Sequence, residues 1–174
     1  SLGYYFFDGT VWQNMLFNNA CNADTKKGIY NVKCYGAIGD ENTDDTAAIL
    51  ATIAAVEPIG GTVYFPPGKY KVTAAITISS SIMLQGTTTN ASVIIPYGNF
   101  NVFTFTGGSM GAGARDLHIL GDHQTGGNCI SVSNADRTGF TNLIITNPYN
   151  AFNIEKVNIC TIRQCWVNAV KGEY

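Results

Sequence analysis

The last third of the sequence carries the side chains whose types could do chemistry. Two carboxylates about 5–9.5 Å apart can hydrolyse a glycosidic bond, and an acidic cluster that holds calcium can act on a sugar beside a base. Asp122 and His123 lie together in the longest late loop, and Glu155 lies in the turn after Phe152-Asn153-Ile154. Loops are where binding and catalytic residues concentrate. Ordinary surface usage accounts for the acids of this stretch, so we assign no catalytic residue among Asp116, Asp122, Asp136, Glu155 and Glu173.

Trp166 is a candidate for contact with a sugar ring. It alternates with Cys165 and Val167, which places its ring on the outward side of a strand. An exposed indole presents a flat apolar face on which a sugar can stack. The alternative is a partly buried ring at a subunit interface or beneath the chain that follows. The candidate substrate-binding residues are therefore Asp122, His123, Glu155 and Trp166.

A pair of carboxylates, Asp44-Asp45, stands before an alanine-rich segment. Paired carboxylates can act as acid and base in catalysis. The side chains of two adjacent residues at a helix start, however, point in different directions. Thr43 is a suitable N-cap, and acids in the first turn meet free N–H groups and the positive end of the helix dipole. We therefore interpret the pair as capping residues. The helix that they begin ends before Pro58 and Gly60-Gly61.

The composition excludes several classes of protein. The chain has 174 residues, 45 % of them hydrophobic and 13 % charged, with 19 glycines and a formal net charge of −2. These values predict one globular domain of short strands and tight turns. The sequence has no stripe of basic residues that could bind nucleic acid, and no apolar run is long enough to insert into a membrane.

Five scattered cysteines form no Cys-x-x-Cys pair and have no metal-ligand spacing with histidine. We expect reduced, buried thiols rather than a disulfide framework, which favours assembly in a reducing compartment such as a bacterial cytoplasm. Neither a metal nor a cofactor is predicted.

The chain divides into three segments. Residues 1–17 contain Asp8-Gly9 between aromatic residues, a pattern typical of a hairpin with a two-residue turn. We interpret it as the end of an upstream domain or an interface element, because an isolated hairpin is barely stable. Residues 18–29 are small and polar and predict a linker. Residues 30–174 form the main unit, and its abrupt last residues suggest a piece of a larger protein.

An internal repeat dominates the main unit. Ile130 and Val132 are matched 22 residues later by Phe152 and Ile154. The same offset relates Phe140, Leu143 and Ile145 to Ile162, Cys165 and Val167, and Leu117 and Ile119 precede Leu143 and Ile145 by a longer step. A period in the low twenties with short strands predicts a parallel β-helix, with the helix before Pro58 capping its open end. The alternative, an antiparallel sandwich, fits the irregular loops less well.

Three motifs resemble the start of the pectate-lyase-like superfamily, a group of right-handed parallel β-helices that includes phage tailspikes and polysaccharide-degrading enzymes. They are Asn31-Val32-Lys33-Cys34-Tyr35-Gly36-Ala37-Ile38-Gly39-Asp40, Asn42-Thr43-Asp44-Asp45-Thr46-Ala47-Ala48-Ile49, and Gly60-Gly61-Thr62-Val63-Tyr64-Phe65-Pro66-Pro67-Gly68-Lys69-Tyr70. The resemblance is close from Tyr30 to about Leu84, and Asn31 to Tyr35 is expected to be a short strand. The polygalacturonase-type catalytic elements have no match in this sequence.

The resemblance implies an all-β, right-handed parallel β-helix with an N-terminal capping helix. It implies a module of a phage tailspike or tail appendage in the virion, a homotrimer that contacts other tail proteins and binds a cell-surface polysaccharide. The alternative is a polysaccharide lyase or glycoside hydrolase whose active site lies in later coils or between subunits. A bacterial surface or secreted protein of the same fold is a further alternative.

Overall fold

The computed structural model describes residues 5–7, 12–14, 28–169 and 171. Near the N-terminus, β1 (Tyr5–Phe7) and β2 (Trp12–Asn14) pair antiparallel with Phe7 opposite Trp12. The predicted two-residue turn at Asp8-Gly9 lies outside the described residues and stays a prediction. Residues 8–11, and residues 18–27 of the predicted linker, lie outside the described residues. The assignment of 1–17 to an upstream domain or an interface stays a prediction.

Residues 28–169 form a parallel β-helix of about five turns, as the repeat predicts. Its strands are β3 (Ile29–Asn31), β4 (Asp40–Asp44), β5 (Gly61–Phe65), β6 (Gly68–Val72), β7 (Ile76–Ile78), β8 (Ile82–Gly86), β9 (Ser92–Pro96), β10 (Gly98–Asn99), β11 (Phe103–Phe105), β12 (Gly113–Leu120), β13 (Gln124–Gly126), β14 (Asn128–Ser133), β15 (Thr138–Thr146), β16 (Asn150–Glu155), β17 (Cys160–Arg163) and β18 (Trp166–Asn168). They are accompanied by a short 3-10 helix, Val32–Tyr35, and by α1, Thr46–Val56.

Strands from successive coils stack into three faces. Face A contains β3, β5, β8, the first half of β12, the first half of β15, and β17. Face B contains β4, β6, β9, the second halves of β12 and β15, and β18. Face C contains β7, β11, β14 and β16. Every pairing within these faces is parallel, so each coil is held by its neighbours above and below.

The interior of the prism is apolar because alternate residues of each strand point inward. On face C the inward positions stack Ile76, Phe103, Ile130 and Phe152 in register from coil to coil. The first three of these side chains are fully buried. The repeats read from the sequence are confirmed, since Phe140 pairs with Ile162, Ile145 with Val167, Leu117 with Leu143, and Val132 with Ile154.

In the last three coils the corner between faces A and B is made by one residue in the left-handed backbone region. Asp116 has φ 58°, and Asn142 and Gln164 of the next two coils both have φ 52°. Short polar side chains tolerate this region better than branched ones. The Asn142 Nδ2 donates to Asp116 Oδ1 at 2.7 Å, which ties two successive corners together. These residues divide β12 and β15 between the two faces.

Helix α1 covers the first coil, as predicted. Its buried side chains Ile49, Ile53 and Val56 belong to the same apolar core as Val63 and Ile76. Unpaired strand ends and interior side chains at that end are thereby shielded from water.

The start of α1 differs from the prediction. The helix begins at Thr46 and not at Asp44, which ends β4. Thr43 is not its N-cap, because the Thr43 hydroxyl donates to Asp40 Oδ2 at 3.0 Å. Asp44 Oδ1 instead accepts the Thr46 N–H at 3.0 Å. The Asp45 carboxylate is buried and accepts the N–H groups of Ile38 and Gly39 at 2.6 and 3.1 Å.

Two further expectations about residues 31–35 are wrong. Asn31 to Tyr35 does not form a strand: the Asn31 side chain accepts the Lys33 N–H at 2.9 Å, and Gly36 ends a 3-10 turn with φ 103°. The expectation that every cysteine is reduced fails at Cys34, which is disulfide-bonded. Among the described residues Cys129, Cys160 and Cys165 are free thiols.

Candidate functional site

Two apolar side chains of β9 lie on the outward surface of face B. Val93 and Ile95 flank the inward Ile94, so both point outward, yet they are only 7 % and 1 % exposed. Lys69 and Lys71 lie in register with them on β6, and His118 lies in register with Val93 on β12. Both side chains are therefore covered on the outward surface of face B.

His118 lies beside Val93 on this surface. Its Nε2 lies 3.0 Å from the Thr146 hydroxyl of the next coil. Burial lowers the pKa of the half-buried imidazole, and the negative charge of Asp122 opposes that effect in part. His118 is therefore neutral at pH 7, with one ring nitrogen able to donate and the other able to accept a hydrogen bond.

Asp122 and His123 are the two central residues of a tight turn at the corner between faces B and C. The Gln124 N–H donates to the Gly121 carbonyl at 3.0 Å and closes the turn. Gly121 fits here because a Cβ would lie 2.6 Å from the Asn147 carbonyl oxygen. Asp122 Oδ1 accepts the Asn147 Nδ2 at 2.6 Å. Both predicted residues are thus exposed side by side on a turn that is bonded to the next coil.

His123 stacks on a tyrosine of the preceding coil. The rings of His123 and Tyr97 are almost parallel, with centroids 4.0 Å apart and 10° between planes. The Lys71 ammonium, from the coil before Tyr97, lies 4.7 Å from the centre of the tyrosine ring, a cation–π distance. Three successive coils therefore contribute one stack of flat and charged groups to this corner.

Trp166 lies on face B, as the alternation predicts, and is 74 % exposed. Ile144 pairs with Trp166 on one side and with His118 on the other. The indole and the imidazole are thus two strands apart on the same surface, at about 10 Å between backbones.

Glu155 lies elsewhere, at the end of β16 on face C. Its Oε1 accepts the Asn153 Nδ2 at 3.0 Å, and its carbonyl accepts the Asn134 N–H. The structure therefore brings Asp122 and His123 together, places Trp166 on the adjoining face, and separates Glu155 from them. The sequence reading missed Lys71, Tyr97, Thr146 and Asn147. Tyr97 and Asn147 contact His123 and Asp122 from neighbouring coils, whereas Lys71 lies over Tyr97 and Thr146 bonds His118.

The residues in the described part of the chain include no group of three or more histidine, cysteine or acidic side chains that could hold a metal ion. Among the described helices, none is long and apolar enough to cross a membrane.

Known proteins resemble this chain both in sequence and in fold. Residues 29–111 match the family described as rhamnogalacturonase A/epimerase, pectate lyase-like. The chain is similar to the mannuronan C5-epimerase AlgE6 of Azotobacter vinelandii, with 44 % identity over 73 residues, which cover 37 % of this chain and 8 % of that protein. It is also similar to the pre-neck appendage protein of Bacillus phage B103, with 32 % identity over 104 residues, covering 57 % of this chain and 11 % of the other.

Solved structures extend the likeness beyond the matched sequence. The A-module of AlgE6 superposes with a TM-score of 0.70 at 26 % identity, over 78 % of this chain and 43 % of the module. The ORF18 protein of Geobacillus virus E2 gives a TM-score of 0.63 at 28 % identity, over 82 % of this chain and 34 % of the viral chain. The chain thus spans less than half of each relative. The matched motifs, the stacked coils and the structural neighbours together support a pectate-lyase-like parallel β-helix.

Proposed function

We propose that this β-helix is a module of a phage tail appendage that binds a cell-surface polysaccharide on face B and at the adjoining corner. The observation that carries the proposal is the grouping of an exposed Trp166 with the Tyr97–His123 stack and hydrogen-bonding side chains on one surface. The likeness to a phage pre-neck appendage protein and to a viral β-helix supports the setting.

The chemistry of the surface suits a sugar. Indole and imidazole rings offer apolar faces to the C–H groups of a pyranose, while His118, Thr146 and Asn147 offer polar atoms to its hydroxyls. Five strands of face B, from β6 to β18, lie side by side along the stack. At about 4.8 Å per strand, the surface runs roughly 19 Å, which accommodates an oligosaccharide rather than a single sugar.

The experiment is a glycan array probed with the full chain and with single alanine variants. We expect Trp166→Ala and His123→Ala to lose binding to the glycan that the wild type selects. Tyr64→Ala is the matched control, because Tyr64 is an aromatic residue at an outward position of face A. Equal loss in all three variants, or no loss in the first two, would overturn the assignment of the surface.

Two further proposals concern how the module assembles in the virion. The module assembles as a homotrimer, as is usual for phage appendages that resemble this fold, and it contacts other tail proteins. Light scattering on the purified chain tests the first proposal, for which we expect three copies. A monomer at all concentrations tested would count against it.

A second function rests on a different observation. His118 is neutral and bonded to Thr146, in the field of Asp122, and a neutral imidazole on a sugar-binding surface can act as a general base. The likeness to mannuronan C5-epimerases also favours a polysaccharide-modifying enzyme. Assays for unsaturated uronate, for reducing ends and for inversion at C5 of uronate residues distinguish the two functions. Turnover that His118→Gln abolishes would favour the enzyme, and binding without turnover would favour the appendage module.

A further inference from the structure

Lys171 reaches back across the stack to the turn that presents Asp122 and His123. Its Nζ donates to the carbonyl of Gly121 at 3.0 Å and to the carbonyl of Asp122 at 2.9 Å. Its own backbone N–H donates to the Pro148 carbonyl at 2.8 Å. Both the backbone and the ammonium of Lys171 are therefore bonded to earlier coils, and the ammonium bridges two successive carbonyls of one turn.

The bonds made by Lys171 are the only charge-assisted ones to the carbonyls of that turn among the contacts of the described residues. The turn's other backbone bonds are neutral: Gln124 N–H donates to Gly121, Gly98 N–H to His123 at 3.2 Å, and Gly121 N–H to Thr146 at 2.8 Å. The Asp122 carboxylate also accepts the Asn147 Nδ2 at 2.6 Å. A bond with an ionised donor is roughly twice as strong as a neutral one. Without the ammonium, the Gly121 carbonyl would keep only the Gln124 N–H as a donor. The Asp122 carbonyl would keep no donor among the described residues.

We infer that Lys171 is a positioning residue for the Asp122–His123 turn, and hence for the glycan-binding surface. The second part of the inference rests on the proposed function. Lys171 follows Asp122 by 49 positions, so the turn on the third coil takes its final shape from chain that comes after the fifth. Lys171 need not touch the glycan itself, because it acts through the geometry of the turn and of the Tyr97–His123 stack.

Proton NMR of the two histidines tests the first part. The chain contains only two histidines, and His123→Ala assigns their ring signals. Stacking at 4.0 Å places the His123 ring protons in the ring current of Tyr97 and shifts them upfield. In Lys171→Met we expect these signals to move toward their unstacked positions while the melting temperature stays close to that of the wild type. Lys171→Arg, which keeps a cationic donor, restores the upfield shift.

The matched control is Lys33→Met. The Lys33 Nζ also donates to a backbone carbonyl, that of Pro67 at 3.1 Å, at the corner between faces A and B rather than at the corner between faces B and C. We expect it to leave the His123 signals unchanged. Unshifted His123 signals in Lys171→Met, or equal shifts in Lys33→Met, would overturn the role of Lys171.

Glycan binding tests the second part separately. We expect Lys171→Met to weaken binding by about tenfold, the equivalent of one lost hydrogen bond. Shifted His123 signals with undiminished binding would support the positioning role and remove the turn from the glycan surface. If the wild type binds no glycan, the proposed function fails, while the histidine signals still decide whether Lys171 positions the turn.

Discussion

Gly113 and Gly139 pair in register on adjacent coils of face A, and only one of them has room for a side chain. A Cβ on Gly113 would overlap the carbonyl oxygen of Gly139, whereas a Cβ on Gly139 would meet nothing within 4 Å. The close approach of these two coils therefore depends on the first glycine and not on the second.

The pair predicts opposite effects of the same substitution. Gly113→Ala forces the coils apart, and we expect it to lower the free energy of unfolding by about 1–3 kcal/mol. Gly139→Ala restricts the unfolded chain without a clash, and we expect no loss and a gain of up to about 1 kcal/mol. Urea unfolding of both variants measures the difference. Similar losses in the two would contradict the packing described here.

A charge inside the prism should collapse the stack. Ile145 is fully buried and pairs with Ile119 and Val167 on the neighbouring coils. Ile145→Asp leaves a charge unpaired in an apolar core, which costs several kcal/mol. We expect no cooperative thermal transition in this variant. Ile159→Asp is the control, because Ile159 is 54 % exposed and the same change there leaves the melting temperature nearly unaltered.

The buried carboxylate of Asp45 should be hard to replace even by its own amide. Its two oxygens accept separate backbone N–H groups, from Ile38 and Gly39. Asparagine has one acceptor oxygen, so Asp45→Asn leaves one N–H unpaired and turns an NH2 toward it. We expect a loss of about 1–3 kcal/mol in unfolding free energy. Asp136→Asn, where one oxygen accepts the Arg137 N–H, should cost less than about 0.5 kcal/mol.

The charge of Asp122 should be measurable at His118. Burial lowers the pKa of this imidazole, and Asp122 raises it by favouring the protonated form. Asp122→Asn removes the negative charge, keeps an acceptor for Asn147, and so should lower the pKa of His118 further. Titration of the His118 ring signals by NMR gives the value directly. A pKa that rises or stays constant in the variant would show that Asp122 does not act on this ring.

The same imidazole should make stability depend on pH. The folded pKa of His118 lies below its value of about 6.5 in unfolded chains, so the unfolded state binds a proton first as pH falls. The contribution of His118 is therefore complete above pH 6.5 and is lost as pH falls toward the folded pKa. We expect His118→Gln to flatten that part of the stability profile in urea unfolding. An unchanged slope would contradict the direction of the shift.

The fold was predictable because its signals are local. Alternation within short strands and the 22-residue offset from Ile130 to Phe152 both follow from one coil packing on the next, and register confirms them. The errors occur where a side chain overrides the backbone pattern. Asn31 bonds the Lys33 N–H and turns an apparent strand into a 3-10 helix, and Asp45 bonds the preceding loop and delays the helix to Thr46.

The candidate site was predictable only in part. Asp122 and His123 are neighbours in sequence, so their loop identified both. Their partners Tyr97 and Lys71 come from earlier coils, and the loops between those coils differ in length. Without the register, no spacing in the sequence indicates that Tyr97 meets His123. Glu155 shows the converse, since a loop position alone does not tell which side of the prism it occupies.

The left-handed corner at Asp116, Asn142 and Gln164 turns the chain within one residue, while the corner between faces B and C is spanned by residues 73–75, 97–102, 121–127 and 147–149. Over the last three coils the edge between faces A and B is thus constant, whereas the edge between faces B and C varies between three and seven residues along the stack. The loops of the variable edge can therefore lengthen or change without moving the strands, while the one-residue corners keep the last three coils in phase with one another.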